Sequence, residues 1–299
     1  MTPVLSAADP QPLEGTSLGM DAWKRFRRNR MALAGGILFS AIALAALVGP
    51  WLVLQYNGSG YDTLDLETRL ADSSMKHPLG TDTLGRDLLA RVLYGSRISL
   101  VVGIVGTLIS LLIGVAYGAV AGYFGGRVDD MMMRIVDVLY SLPDILFIVI
   151  LMTLFDRSFL LLLVALGATS WLTMARIARG QVLSLKNELF VEAARSIGVS
   201  PMGIIVRHIV PNALGPIIVY ATLTIPSVIM AEAFLSFLGL GVPPPASSLG
   251  VLADEGAQAI AVHPILLAAP ATLMAAMLFC LNFLGDGLRD ALDPRASKA

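Results

Sequence analysis

Three carboxylates lie in stretches of the sequence that are otherwise apolar: Asp137, Asp144 and Glu232. An ionisable side chain inside a membrane segment is costly, and it usually marks a substrate path, an ion path or a proton relay. These residues are therefore candidates for a translocation path. A second interpretation stays open for all three, because each of them also fits the headgroup level at the end of a segment.

Other residues capable of chemistry match no catalytic or metal-binding pattern. His77, Asp82 and Asp87 share a polar stretch, but their spacing fits no metal-ligand motif, so no metal site is predicted. The single cysteine, Cys280, excludes an internal disulfide framework. The sequence contains no G-x-x-x-x-G-K-[ST] loop, the motif that cradles ATP phosphates. We expect neither an enzyme nor a cofactor bound by the chain itself.

The composition indicates the surroundings of these residues. Of the 299 residues 56% are apolar and 14% are charged, whereas a soluble protein carries about 25% charged residues. The net charge of −1 gives no electrostatic excess that would attract a nucleic acid. These values exclude a water-soluble enzyme, a disordered chain and a nucleic-acid binder, and they indicate a protein embedded in a lipid bilayer.

Uncharged gaps predict six transmembrane helices, because a helix needs about 20 apolar residues to cross a bilayer. The third gap has the least support, since it contains Asp137 and Asp144. The first could also be a signal peptide, but its length and the tail before it favour an uncleaved helix. The expected fold class is an all-α integral membrane protein with spans over residues 31–54, 98–124, 133–155, 158–179, 211–235 and 264–285.

The placement of lysine and arginine predicts the orientation. Five basic residues precede the first span within WKRFRRNR, and most of the others fall in segments on the same side. By the positive-inside rule, both termini are cytoplasmic. The expected organisation is an N-terminal tail over 1–30, a six-helix transmembrane domain over 31–286 and a C-terminal tail over 287–299. The basic run is interpreted as a helix on the inner membrane surface or as an ordinary stop-transfer cluster.

Residues 56–97 form the expected outer segment between the first two spans. Apolar residues at helical spacing predict an amphipathic helix over 81–94, with Asp82 or Thr83 as its cap. We expect this helix to lie on the outer surface of the bundle.

Small residues recur along the second span. Gly114, Gly118 and Gly122 are four residues apart and therefore lie on one face of the helix. In lipid, such a face allows two helices to approach closely. We expect helix packing, rather than substrate contact, at these glycines.

Residues 180–210 form the longest expected cytoplasmic loop. Asn187 can cap a short helix that begins at Glu188. Gly198 stands where a left-handed helix stop is favoured, and Ser200 with Pro201 can open a second short helix. The pattern predicts a compact helix-turn-helix whose small apolar face suits a groove on another protein.

This loop resembles the EAA loop of bacterial ABC importer permeases, with the pattern E-A-A, three residues, G, nine residues, I-x-L-P. The residues that match the pattern are Glu192, Ala193, Ala194, Gly198 and Pro211. His208 occupies the isoleucine position and Val210 the leucine position, so the end of the motif departs from the family. The resemblance implies that the matching residues couple the chain to an ATPase subunit.

The resemblance extends from about residue 20 to the end of the chain and narrows the family to peptide importers. The segments HPLGTDTLGRDLLARVLYGSRISL, GYFGGRVDDMMMR, AFLSFLGLG and LNFLGDGLRDALDP are similar to C-type permeases of dipeptide and oligopeptide importers. WLTMARIARGQVLSLK and IVRHIVPN are most similar to the oligopeptide permease C subunit. This implies the type I ABC importer permease fold in a bacterial inner membrane.

The family implies a set of partners. They are a paralogous permease that completes the pore as a heterodimer, two ATPase subunits that bind the ATP, and a periplasmic peptide-binding protein. Relatives in the family carry dipeptides, nickel chelates or other small solutes, so these substrates remain alternatives. A proton-driven secondary transporter is a more distant alternative, since no inverted repeat or paired midplane ionisable groups are found.

Overall fold

The computed structural model describes residues 18–292 of the chain. Within them, the single β-type feature is an isolated bridge between Thr81 and Asp87. The ends of both expected tails, residues 1–17 and 293–299, lie outside the described part. The helices are α1 (Leu18–Arg28), α2 (Arg30–Asn57), α3 (Leu88–Phe124), α4 (Gly126–Tyr140), α5 (Asp144–Leu154), α6 (Phe159–Leu185), α7 (Leu189–Ser196), α8 (Pro201–Ile204), α9 (Val210–Phe237), α10 (Leu249–Gln258) and α11 (Ile265–Leu292).

Five of the described helices are long and apolar enough to cross a membrane. They are α2, α3, α6, the continuous helix Pro201–Phe237 that includes α9, and α11. The consecutive helices α4 and α5 provide a sixth crossing if the bent pair counts as one span. The expected class, an all-helical membrane protein, is confirmed.

The expectation of one uninterrupted helix over 133–155 is wrong. α4 ends at Tyr140, α5 begins at Asp144, and the two helices are bent by 77°. Pro143 explains the break, because it has no backbone N–H to donate and it disfavours helical conformation at the preceding Leu142. The bend places Asp144 in the first turn of α5.

The outer segment also differs from the expectation. Residues 81–94 do not form a separate surface helix, because the second half of this stretch is the beginning of α3. Neither Asp82 nor Thr83 caps it. Asp87 does so, and its carboxylate accepts a hydrogen bond from the N–H of Ala90 at 2.7 Å. The helix runs on without a break because the apolar side of its first turns is buried against the bundle.

α3 and α6 pack closely along the glycine face of α3. A Cβ added at Gly118 would overlap the carbonyl oxygen of Ala175. One added at Gly114 would lie 2.6 Å from the Cβ of Met174, and Gly122 continues the same face. The absence of side chains at these positions is what allows the two backbones to approach.

A π-helical turn, Ile205–Ile209, joins α8 to α9. Pro211 follows directly after this turn, in the first turn of α9, where proline cannot donate a backbone hydrogen bond. Pro216 and Pro226 lie inside α9, where neighbouring helices compensate for the lost backbone hydrogen bonds. The helix-turn-helix of the long loop therefore continues directly into a spanning helix.

Candidate functional site

The cytoplasmic helix-turn-helix consists of α7 and α8, and we name residues 188–204 the elbow. α7 begins at Leu189 with Glu188 as its N-cap residue, without a side-chain cap. The expected cap by Asn187 is therefore wrong. The short helix is held instead by burial, because the side chains of Val191 and Ala194 are enclosed by the bundle.

The turn of the elbow depends on Gly198. Its φ is +81°, and a Cβ there would meet no atom within 4 Å, so the backbone conformation alone selects glycine. The N–H of Val199 donates to the carbonyl oxygen of Ala194 at 3.1 Å and closes α7. The Oγ of Ser200 accepts from the N–H of Gly203 at 3.2 Å and starts α8.

The inner face of the elbow is packed against the spanning helices. One buried apolar cluster joins α3, α6, both elbow helices and the π turn: Ala119, Val182, Val191, Ala194, Ile204, Ile205 and Ile209. The ammonium group of Lys186 donates to the carbonyl oxygen of Gly122 at 3.1 Å. A displacement of the elbow must therefore move the inner ends of the helices that it touches.

The opposite face of the elbow is exposed. Leu189 and Ile197 are 80% and 81% exposed, and Glu192 and Ala193 lie between them on the surface. Among the described residues, the Glu192 carboxylate has no hydrogen-bond or ion-pair partner. Large exposed apolar side chains beside a free charge indicate a surface that another protein covers. The residues of the E-A-A pattern thus lie where a partner can reach them.

Asp137 is paired in the structure. One of its carboxylate oxygens lies 2.8 Å from a guanidinium nitrogen of Arg176, and that guanidinium lies 4.2 Å from the centre of the Tyr140 ring. Nearer the inner end of α4, Asp129 accepts two hydrogen bonds from Arg179 at 2.5 and 2.6 Å. Both pairs connect α4 to α6, so Asp137 has a structural partner within the chain.

Asp144 borders two cavities beside the bend. One has a volume of about 190 Å³ and is also lined by Thr169 and Trp171. The other, of about 440 Å³, is lined by Thr169 again and by Ser170 and Ser227. Asp144 and Thr169 therefore line both cavities. The first lies between the α4–α5 bend and α6, and the second lies between α5, α6 and α9.

Glu232 is far from solvent and lines neither of these cavities. Its side chain is fully buried, and its Oε1 accepts hydrogen bonds from the hydroxyls of Ser236 at 2.8 Å and Ser248 at 2.6 Å. Ser248 is also the N-cap of α10 and accepts from the N–H of Val251. The structure thus separates the three candidate acids: Glu232 links α9 to α10, Asp137 links α4 to α6, and Asp144 faces a cavity.

A buried ionic cluster at the outer end was not predicted from the sequence. Arg91 donates to Asp82 at 2.6 Å and to Glu255 of α10 at 2.5 Å, and Arg86 donates to Asp82 at 2.7 Å. The four-residue spacing of Asp82 and Arg86 was the available signal, but Glu255 is 164 positions from Arg91. The cluster fastens α10 and the outer segment to α3.

The outer segment has two further attachments to the bundle. His77 and Asn57 approach the same carboxylate oxygen of Asp87, at 2.8 and 2.9 Å. The ring of Tyr61 stacks on that of Tyr94 with 3.6 Å between their centres. A side-chain hydrogen bond in which the Tyr61 hydroxyl donates to Tyr94, together with burial, raises the pKa of Tyr61 to about 12. In the described part of the chain, histidine, cysteine and acidic residues form no group of three that could hold a metal ion.

Known proteins are similar in sequence to nearly the whole chain. Residues 17–71 match the N-terminal transmembrane domain of oligopeptide transport permease C. The oligopeptide transport system permease protein OppC of Haemophilus influenzae is 48% identical, over 98% of this chain and 93% of the relative. OppC of Escherichia coli K12 is 49% identical, over 95% and 93% respectively. The dipeptide transport system permease protein DppC of Bacillus subtilis is 44% identical, over 96% and 89%.

A solved structure shows the same fold at much lower sequence identity. A chain of the inward-facing MetNI methionine ABC transporter superposes with a TM-score of 0.56 and 20% identity, covering 69% of this chain and 96% of that one. The fold is therefore that of a type I ABC importer permease. Residues 114–298 match the binding-protein-dependent transport system inner membrane component. The chain belongs to this family of multi-pass inner membrane permease components.

Proposed function

We propose that the chain is the membrane permease subunit of an ATP-binding cassette importer that carries oligopeptides into the bacterial cytoplasm. Its near full-length similarity to oligopeptide permeases, 48–49% identical, is the observation that supports this substrate class. The elbow supports the importer mechanism, because it joins an exposed apolar face to spanning helices. Peptide passes through the membrane domain, and this chain catalyses no reaction on it.

The energy comes from separate subunits in this proposal. Two ATPase subunits bind the ATP, and the permease needs no cofactor of its own. The elbow, with Glu192, Ala193 and Ala194 on α7 and Gly198 at its turn, docks into a cleft of one ATPase subunit. When the ATPase pair closes on ATP, the elbow moves with it. Because the inner face of the elbow is packed against α3, α6 and the π turn that leads into α9, these helices follow. Pro211 lies directly after that turn, in the first turn of α9.

A second permease and a binding protein complete the assembly. A paralogous permease subunit pairs with this chain as a heterodimer, and the pore lies between the two. A periplasmic peptide-binding protein releases peptide at the outer side, where the segment 56–87 offers exposed polar residues. The ionic cluster of Asp82, Arg91 and Glu255 keeps this outer side rigid for docking.

Reconstitution in proteoliposomes tests this function. The chain is co-purified with its paralogous permease and both ATPase subunits, ATP is enclosed, and binding protein loaded with a labelled tetrapeptide is added outside. We expect peptide to accumulate only with ATP and binding protein present. Uptake driven by a pH gradient without ATP would contradict the proposal, and uptake of dipeptides or nickel chelates alone would replace the substrate class.

A further inference from the structure

The cavity of about 440 Å³ lies deep within the spanning helices. Thr169 is ten residues along α6 from its outer end at Phe159, about 15 Å at 1.5 Å per residue. The hydrocarbon core of a bilayer is about 30 Å thick. Asp144 and Ser227 border the same cavity. Burying an acidic group in lipid at this depth costs free energy, so ionisable residues here usually face a water-filled cavity and mark a functional path.

Asp144 differs from Asp129 and Asp137 of the same bent pair, whereas Asp130 also has no ion pair among the described residues but is exposed near the inner end of α4. Asp129 and Asp137 on α4 each form an ion pair, with Arg179 and Arg176. Within residues 18–292, the Asp144 carboxylate is exposed to the cavity and has neither an ion pair nor a hydrogen bond. Asp144 lies in the first turn of α5, where the helix dipole supplies a partial positive charge, but no cationic side chain of the described residues pairs with the carboxylate.

The polar groups around Asp144 can accept hydrogen bonds. The hydroxyls of Thr169 and Ser170 both donate back to the carbonyl oxygen of Leu166, each at 3.0 Å. Their donor is then used, and their oxygen lone pairs remain for a ligand. Ser227 contributes a third hydroxyl from α9 on the same cavity. A carboxylate surrounded by hydroxyl oxygens suits a positively charged group that donates hydrogen bonds and accepts none.

We propose that Asp144, Thr169, Ser170 and Ser227 form a transit site for the ammonium group of the peptide during translocation. This inference rests on the proposed function, since it takes oligopeptide as the cargo. A primary ammonium has three donors and no acceptor, which matches the carboxylate and the neighbouring hydroxyls. The apolar wall formed by Ile148, Leu166 and Val228 accepts the adjoining part of the peptide.

The site is built for passage rather than retention. Asp144 is exposed, so water screens its attraction for a cation and keeps the interaction weak. Conduction requires binding that is favourable enough for entry and weak enough for release. The ammonium group is common to all peptides with a free N-terminus, so such a site assists transport without selecting side chains.

Transport by the reconstituted complex tests the site through Asp144→Asn. Asp137→Asn is the matched control, because it removes a carboxylate of the same bent pair that already has a partner. We expect Asp144→Asn to lower uptake per ATP about tenfold for a tetrapeptide with a free N-terminus. Asp144→Glu should restore most of it, and Asp137→Asn should stay near wild type. Stimulation of the ATPase by loaded binding protein should persist in all three variants.

The outcomes separate the two proposals. If wild-type complex imports no peptide, the proposed function fails, and the transit site with it. If wild type imports peptide and Asp144→Asn imports it equally well, the transit site alone is overturned. The same conclusion follows if Asp144→Asn and Asp144→Glu lower uptake to the same extent.

A thiol reaction provides a second test that does not depend on transport. Cys280→Ser removes the single cysteine, and Ser227→Cys then places one thiol at the cavity. We expect a cationic methanethiosulfonate reagent to modify Cys at position 227 several times faster with Asp144 than with Asn, whereas a neutral reagent should show no difference. If the ratio of the modification rate with Asp144 to the rate with Asn at position 144 is the same for both reagents, the proposal is overturned.

Discussion

Arg91 of α3 and Glu255 of α10 form a two-point ion pair, with nitrogen–oxygen distances of 2.5 and 3.2 Å. The same guanidinium also contacts Asp82 of the outer segment at 2.6 Å. One side chain thus connects the outer segment and α3 to α10, whose Glu255 is 164 positions away in the sequence. Since the Arg91 side chain is 2% exposed, its charge depends on these two carboxylates for compensation.

We expect Arg91→Met to lower the free energy of unfolding by about 2 kcal/mol. The loss stays moderate because Asp82 keeps Arg86 and because Glu255 is partly exposed. Thermal denaturation of the purified complex, followed by intrinsic fluorescence, measures the effect. Arg97→Met is the control, since Arg97 is exposed. Equal stability of the two variants would show that the outer cluster contributes nothing.

We expect Glu192→Lys to reduce ATP-driven peptide uptake about tenfold, because the reversed charge lies on the exposed face of α7, which we propose docks on the ATPase subunit. The fold should be unaffected, since the Glu192 side chain is exposed. Asp286→Lys is the matched control, because Asp286 is also an exposed acid but lies on α11, outside the elbow. Fully coupled uptake by Glu192→Lys would show that Glu192 is not part of the docking surface.

We expect Gly118→Ala to destabilise the protein by about 2 kcal/mol, because the new methyl group would overlap the carbonyl oxygen of Ala175 and separate α3 from α6. Gly215→Ala is the control within α9, where a Cβ meets no atom within 4 Å. There alanine should be neutral or stabilising by up to about 1 kcal/mol. Chemical denaturation compares the two, and a neutral Gly118→Ala would argue against close packing at this face.

We expect Ser248→Ala to loosen α10, at a cost of about 1–2 kcal/mol. The substitution removes the cap on the N–H of Val251 and one hydrogen bond to the buried Glu232. Amide hydrogen exchange should become faster in α10. Ser184→Ala, at an exposed position of α6, should change nothing. Unchanged exchange in α10 after Ser248→Ala would contradict the role of the Ser248 cap.

The elements that were predicted correctly depend on local signals. A long apolar stretch such as α11 is recognised from its own residues, because crossing a bilayer requires only length and hydropathy. The turn of the elbow was likewise predictable, since a left-handed residue at Gly198 and a cap at Ser200 are chosen by the backbone nearby.

The features that were missed depend on distant contacts or on competing local effects. The Arg91–Glu255 pair joins positions 164 residues apart, and no periodicity reports such a contact. At Asn187 the predicted cap was wrong because burial of Val191 and Ala194 sets where α7 begins. The role of Glu232 was also invisible, because its partner Ser248 comes from a later helix.

The π turn between α8 and α9 has a mechanical consequence. Pro201–Phe237 is a continuous helix of 37 residues, about 55 Å long, that begins in the elbow and carries Glu232 near its outer end. A rod of this length acts as a lever: a tilt of about ten degrees at one end displaces the other by about 10 Å. In the proposed mechanism, a small movement of the elbow is therefore carried along a single helix to the outer side of the membrane.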